Sequence, residues 1–202
     1  ITATTVNTSG SMTALGIPTV SYGPFTATDG EGGFVWLKAR NQGYDHFLID
    51  TVRGSDKLLR PNLTNAEFTD NTYFKSFNNN GFTVGNNGST NYTGVDFTSW
   101  TFRKTPGFCD VVSYTGNASA WNSGSQVLNH SLGCVPGLII IKSRNQGGGS
   151  PDRQFYVYHK DIPNRPLFLD GNYSAGTGQG APNYDPRYFN DPVNNPPTAS
   201  TF

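Results

Sequence analysis

The residue types that most often carry catalysis are scarce in this 202-residue chain: three histidines, two cysteines and two glutamates. A nucleophile triad needs a serine or cysteine held against a histidine. His46, His130 and His159 are the whole histidine supply, and no Gly-X-Ser-X-Gly elbow occurs. Glycoside hydrolysis needs two carboxylates about 5–9.5 Å apart across the scissile bond. Neither Glu31 nor Glu67 lies in a strand with a second acid two or four residues away. Most aspartates, such as Asp45, Asp56, Asp152 and Asp170, stand in turn-like sequence. Zinc would require clustered His and Cys, and there is no such cluster. The three histidines therefore read as ordinary strand residues, and no enzymatic activity is expected.

Ligand binding without catalysis has better candidates. Asp29-Gly30-Glu31 puts two carboxylates in one glycine-rich loop, and Asp185 and Asp191 flank an oxygen-rich segment. Calcium takes oxygen ligands from such loops, so Asp29, Glu31, Asp185 and Asp191 are its candidate ligands. Asp/Gly pairs are equally the ordinary residues of turns. Sugars are held by aromatic faces together with planar amides. Trp121, Tyr173, Asn183, Tyr184, Tyr188 and Asn190 supply that combination and are the candidate glycan-binding residues. Arg53 is placed to pair with Asp50 or Asp56, and its plain reading is a solvated turn arginine.

The elements that must position these residues follow from composition. Gly, Thr, Asn and Ser together make 83 of the 202 residues, and 13 prolines bring the sum to 96. Only 14% of residues are charged, and the formal net charge is zero. The surface helix formers are too few for a bundle or a coiled coil. A neutral surface argues against nucleic acid and anionic membranes as partners. No apolar run approaches the roughly 20 residues of a membrane helix. Aromatic residues at 13% are too many for a solvated tail. A turn-rich, all-β chain remains.

Short β-branched and aromatic runs recur between Gly, Pro, Asn and Asp. Strands are expected at Phe34–Ala39, His46–Val52, Tyr73–Phe77, Gly81–Val84, Phe97–Arg103, Asp110–Tyr114, Ser125–His130, Leu138–Ser143, Gln154–His159 and Leu167–Leu169. Asn78-Asn79-Asn80-Gly81 tolerates positive φ and suits a hairpin turn. Trp36, Phe47, Phe82, Trp100, Val112, Ile140 and Tyr156 are the expected core. Cys109 and Cys134 are either bridged or two free thiols.

An internal repeat organises the chain. Gly33-Phe34-Val35-Trp36-Leu37-Lys38-Ala39-Arg40-Asn41-Gln42-Gly43 aligns with Gly137-Leu138-Ile139-Ile140-Ile141-Lys142-Ser143-Arg144-Asn145-Gln146-Gly147 at an offset of 104, with six of eleven positions identical. His46-Phe47-Leu48-Ile49-Asp50 then answers to Phe155-Tyr156-Val157-Tyr158-His159. The expected organisation is an extended N-terminal arm over residues 1–32, a first β unit over 33–105 and a second over 106–202. The two matched strands should hold related positions, with Lys38 and Lys142 facing alike.

These blocks carry a resemblance. Phe34-Val35-Trp36-Leu37-Lys38-Ala39-Arg40 with Asp50-Thr51-Val52-Arg53-Gly54 is similar to a repeat module of tailed-phage virion proteins and marine viral metagenomes. So are Ser76-Phe77-Asn78-Asn79-Asn80-Gly81-Phe82-Thr83-Val84-Gly85, Asp110–Asn117 and Leu132–Gly137. The long 144–154 loop departs from it, and residues 1–32 match only at Leu15-Gly16-Ile17-Pro18. The resemblance implies an antiparallel β-sandwich of the jelly-roll type, concanavalin-like or laminin-G-like, with little helix. It brings no catalytic residues. It implies a virion structural module (a decoration, fibre or spike segment) that assembles with other virion chains, with a homo-oligomer expected. The alternative is a receptor- or glycan-binding, lectin-like module at a tail tip. No cofactor is expected beyond possible calcium. In the second unit Thr201-Phe202 would correspond to the start of the Gly81–Gly85 strand. Equivalents of the Trp100 strand are then expected from residues beyond Phe202 or from a neighbouring subunit.

Overall fold

The computed structural model describes residues 32–78, 80–117, 126–145, 154–163, 167–171 and 196–202. They contain ten strands and no helix: β1 Gly33–Ala39, β2 Phe47–Asp50, β3 Gly54–Leu59, β4 Phe68–Thr69, β5 Phe74–Asn78, β6 Gly81–Val84, β7 Phe97–Arg103, β8 Leu138–Ile141, β9 Tyr156–His159 and β10 Leu167–Phe168. Every strand pair is antiparallel. The sheets run β4-β3-β2-β1-β7, β10-β9-β8 and β5-β6. This is an all-β antiparallel sandwich.

β1 shows why the layers form. Gly33, Val35, Leu37 and Ala39 are buried, while Phe34, Trp36 and Lys38 on the opposite face stay half-exposed. That period of two is the pleat. Val35 and Leu37 stand opposite Ile49 and Phe47 of β2. With Leu58 and Phe74 they form the core, and Phe68, Tyr73, Phe77, Phe82 and Val84 pack against it. The β5–β6 hairpin thus supplies the second layer over one face of the five-stranded sheet. Phe74 stacks on Phe82 at 5.4 Å and lies 4.7 Å from Phe77, centroid to centroid.

The two copies of the repeat fold alike. In the first, Phe34, Val35, Trp36 and Leu37 pair with Asp50, Ile49, Leu48 and Phe47. In the second, Leu138, Ile139, Ile140 and Ile141 pair with His159, Tyr158, Val157 and Tyr156. Each pair maps onto its counterpart under the sequence alignment. The third strand follows, since Leu48 pairs with Leu59 and Val157 with Leu167. The lysines differ in use. Lys38 Nζ donates to the carbonyls of Ala39, Gln42 and Tyr44, closing its own turn. Lys142 Nζ donates to Thr64 O at 3.1 Å and sits 5.4 Å over the Phe155 ring.

Several expectations need correction. Phe47 and Tyr156 are buried and Phe82 packs on the core, but Trp100, Val112 and Ile140 are exposed. Trp100 and Ile140 have the right strands and the wrong face. Residues 110–114 form no strand. Asp110 anchors that segment instead, accepting from Val111 N–H, Ser131 N–H and Ser131 Oγ and pairing with Lys104 at 2.8 Å. Of the described residues 126–130 in the run expected to end at His130, Asn129 alone makes an isolated bridge, to Thr201. β3 and β4 were not expected. Both cysteines are free.

Candidate functional site

The candidate glycan residues Trp121, Tyr173, Asn183, Tyr184, Tyr188 and Asn190 lie outside the described residues, as do the candidate calcium ligands Asp29, Glu31, Asp185 and Asp191. Among the described residues no three His, Cys, Asp or Glu side chains group as metal ligands. The histidines stand apart. His46 Nδ1 accepts from Trp36 Nε1 at 3.0 Å, so its other ring nitrogen carries the proton in the neutral form. Burial and the Lys38 charge push its pKa down. His130 stacks on Phe202 at 5.7 Å. His159 Nδ1 lies 3.8 Å from the Asp161 carboxylate. Burial, then the Asp110 charge, push the Cys109 thiol up, which disfavours the thiolate a nucleophile needs.

The structure instead brings together two constellations. The first is charged. Asp50 ends β2, and its Oδ1 accepts the N–H groups of Val52 and Arg53, shaping the turn into β3. The turn folds Arg53 back so that Nε meets the other Asp50 oxygen. Arg53 Nη1 donates to Glu67 Oε2 at 2.9 Å and Nη2 to Leu48 O at 3.0 Å. Arg144, from the turn after β8, grips the same glutamate with two bonds, at 2.9 and 2.8 Å, and spends Nη1 on Ser113 Oγ. The backbone adds Glu67 N–H to Arg144 O at 2.8 Å. Arg53 and Asp50 side chains are only 5% and 3% exposed, which corrects the reading of Arg53 as a solvated turn residue.

Burial alone would raise the Glu67 pKa. The hydrogen bonds from Arg144 and Arg53 outweigh it and hold the carboxyl below its ordinary range. A carboxyl kept ionised donates no proton near neutral pH, so Glu67 is unsuited to general acid work. Two cations balance two anions. The cluster locks the second hairpin onto the loop that follows β3.

The second constellation is aromatic. Register places Phe34, Trp36 and Lys38 of β1 beside Phe102, Trp100 and Thr98 of β7 on the face away from the core. Phe34 stacks on Phe102 at 4.5 Å, Trp36 meets Trp100 edge-on at 6.1 Å, and Phe108 stacks on Phe102 at 6.1 Å. Trp100 is 48% exposed and Phe108 62%. The aromatic file is made of two cross-strand ring groups, Phe34–Phe102–Phe108 and Trp36–Trp100, with His46 beside Trp36. Lys38 is the cation of β1 on this face, and register sets Asp50 of β2, opposite Phe34, on the same face, so the aromatic rings border the charged cluster. The signal available in sequence was the shared parity of Trp100 and Phe102 in β7 and of Phe34 and Trp36 in β1. The composition of those strands pointed inward instead.

No curated protein and no solved structure matches the chain. A family model does, over residues 4–185, and so the chain belongs to the family described as a domain of unknown function, DUF7483.

Proposed function

We propose that this chain is a non-enzymatic structural module of a virion surface part, a decoration, fibre or spike segment of a tailed phage, that assembles with other chains through its β-sandwich surfaces. The observation that carries the reading is the outward aromatic file Phe34, Trp36, Trp100, Phe102 and Phe108. An exposed apolar face of this kind is characteristic of interaction sites, and aromatic residues are enriched where protein surfaces meet. The resemblance of the strand blocks to tailed-phage virion repeats supplies the setting. A neutral, low-charge surface suits dense packing among like chains.

A glycan-binding reading is favoured by one feature of the same face. Trp100 offers a half-exposed ring, and sugars stack their C–H faces on such rings. The two readings predict different losses. Purified particles from the same source should contain the chain at stoichiometric copy number. Trp100→Ser with Phe108→Ser should then reduce its incorporation at least tenfold. Absence of the chain from particles overturns the assembly reading. Full incorporation of the double variant together with lost glycan-array binding establishes the second reading instead.

A further inference from the structure

β1 and β8 are equivalent strands, yet their outer edges differ. The outer edge of β1 carries β7, in register from Gly33 opposite Arg103 to Ala39 opposite Phe97. Among the described residues no strand lies on the outer edge of β8. Hydrogen-bond parity shows which groups are involved. In an antiparallel pair, alternate residues direct both backbone groups to the same neighbour. Thr51 N–H to Gly33 O directs Gly33, Val35 and Leu37 to β2, leaving Phe34, Trp36 and Lys38 for β7. Lys160 N–H to Gly137 O directs Gly137, Ile139 and Ile141 to β9 in the same way. Leu138 and Ile140 then turn their N–H and C=O groups outward, and their side chains are 54% and 39% exposed.

Two further repeat positions tell what belongs there. Asn41 clasps the start of β7, donating to Gly94 O at 3.3 Å and accepting Asp96 N–H at 3.0 Å, while Arg40 N–H donates to Asp96 O at 2.7 Å. The repeat keeps Arg144 and Asn145 at these positions, and among the described residues the donor to Asn145 Oδ1 is Ser143 Oγ, at a long 3.4 Å. Gly33 is glycine for cause, since a Cβ there would lie 2.0 Å from Phe102 O of β7. Gly137 repeats that glycine where an added Cβ would meet the Lys160 side chain, Cδ at 3.7 Å and Cε at 4.0 Å. The second copy keeps the fittings for a strand, while among the described residues its edge carries none.

We propose that the β8 edge is an acceptor for an extended strand of a partner polypeptide. The strand runs antiparallel, with aromatic residues opposite Leu138 and Ile140, a small polar residue opposite Lys142, and its N-terminal end at Asn145. That pattern is the one β7 shows to β1. The backbone ladder supplies affinity, and alternate side chains supply specificity. An uncovered edge strand is otherwise a liability that proteins cover or blunt. A second copy is a poorer donor, because among the described residues the one strand of this pattern, β7, already sits on its own β1.

The inference names the contact by which the assembly reading would operate, and rests on it in that sense, but the two fail separately. The test uses the isotope-labelled 202-residue chain and a peptide of sequence Gly94–Lys104. Residue-resolved amide exchange is followed with and without peptide. Leu138 and Ile140 amides should slow at least tenfold, while Ile139 and Ile141, already bonded to β9, keep their rates. A peptide carrying Trp100→Pro, which lacks the N–H aimed at Ile140, should give no protection. Asn145→Ala should weaken capture about five- to tenfold, the worth of one or two hydrogen bonds. No protection at saturating peptide, equal change at both parities, or equal capture of the proline peptide overturns the inference. Protection that rises with protein concentration alone makes a second copy the occupant and overturns the partner assignment. A chain that captures the peptide with the right parity but is absent from particles overturns the assembly reading alone.

Discussion

Replacing Arg53 by alanine tests whether the charged cluster is a structural lock. The substitution removes three hydrogen bonds at once, to Asp50, Glu67 and Leu48 O. The losses are unequal. Glu67 keeps both bonds from Arg144, and Asp50 Oδ1 keeps the N–H groups of Val52 and Arg53. The other Asp50 oxygen loses its cation in a site where the side chain is 3% exposed. Stranding one charge of a buried pair costs about 3–5 kcal/mol. Against a total stability of about 5–15 kcal/mol that is a fifth or more. For a chain of this length the melting point should fall by about 6–20 °C.

Urea unfolding followed by tryptophan fluorescence gives the free energy, with the m-value checked for constancy. A second variant separates the causes. If the stranded carboxylate dominates, Asp50→Asn added to Arg53→Ala restores about 1–2 kcal/mol, because a neutral amide is cheaper to bury than an anion. If lost packing dominates, the two changes add. Arg144→Ala should cost only about 1 kcal/mol, since that arginine is 41% exposed and solvent screens its pair with Glu67. A loss below about 1 kcal/mol for Arg53→Ala would mean that water reaches Asp50, and the lock would be refuted.

Four further outcomes are expected. Glu67 has a folded pKa below its unfolded one, so its stabilisation is present above about pH 4.5 and lost as pH falls through the folded value; acid titration of stability should be shallower in Glu67→Gln than in the parent. Asp170 has the opposite sign, because burial raises its pKa against the Phe155 N–H bond, and its Oδ2 has no hydrogen-bond partner among the described residues; Asp170→Asn should add about 1 kcal/mol at pH 7, an advantage that shrinks on acidification. Without reductant two thiols should react with a disulfide reagent, Cys134 first and Cys109 slowly, since Cys134 is exposed and Cys109 is partly buried with a raised pKa; one or no reacting thiol would contradict the free cysteines. Phe74→Ala should cost about 3–5 kcal/mol as a fully buried ring, while Trp100→Ser should cost about 1 kcal/mol or less, and reversal of that order in urea unfolding would place Trp100 in the core.

Sequence pattern and structure agree where the backbone signal is local. β6 and β7 run over the residues expected of them because a glycine turn opens one and aromatic alternation fills the other. The hairpin register was also readable, through the repeat. β3 was not, because Gly54-Ser55-Asp56-Lys57 is polar and holds its strand by backbone pairing between β2 and β4. Conversely Val111, Val112 and Tyr114 have strand composition without a strand partner among the described residues. Face assignment failed at Trp100 and Ile140 since hydrophobicity does not state which side of a sheet is covered. Arg53 was misread for a different reason. Its second anion, Glu67, lies 14 residues on, and the cation that completes the cluster lies 77 beyond that. Nothing in local spacing brings those together.

The repeat also explains why one arginine is twice placed and differently used. Arg40 and Arg144 close the same Lys-X-Arg-Asn block after equivalent strands. The Arg40 side chain is exposed, and what the first unit uses is its N–H, which receives β7 at Asp96 O. Arg144 turns its guanidinium across to Glu67 and Ser113 and its carbonyl to Glu67 N–H. A duplicated hairpin faces two demands: an outer edge to be covered and a partner half to be gripped. The first copy meets the first demand from within its own sequence. The second copy spends its arginine side chain on the grip, and the Arg144 backbone N–H, the counterpart of the one Arg40 gives to β7, has no acceptor among the described residues and falls to the strand proposed for the β8 edge. Asn145 is therefore the sharper probe of that edge. Arg144→Ala disturbs the lock and the edge together, whereas Asn145→Ala leaves every bond of the Asp50, Arg53, Glu67 and Arg144 cluster in place. If Asn145→Ala lowers urea stability as much as Arg144→Ala does, the asparagine serves the fold and not the edge, and the division of labour between the two copies fails.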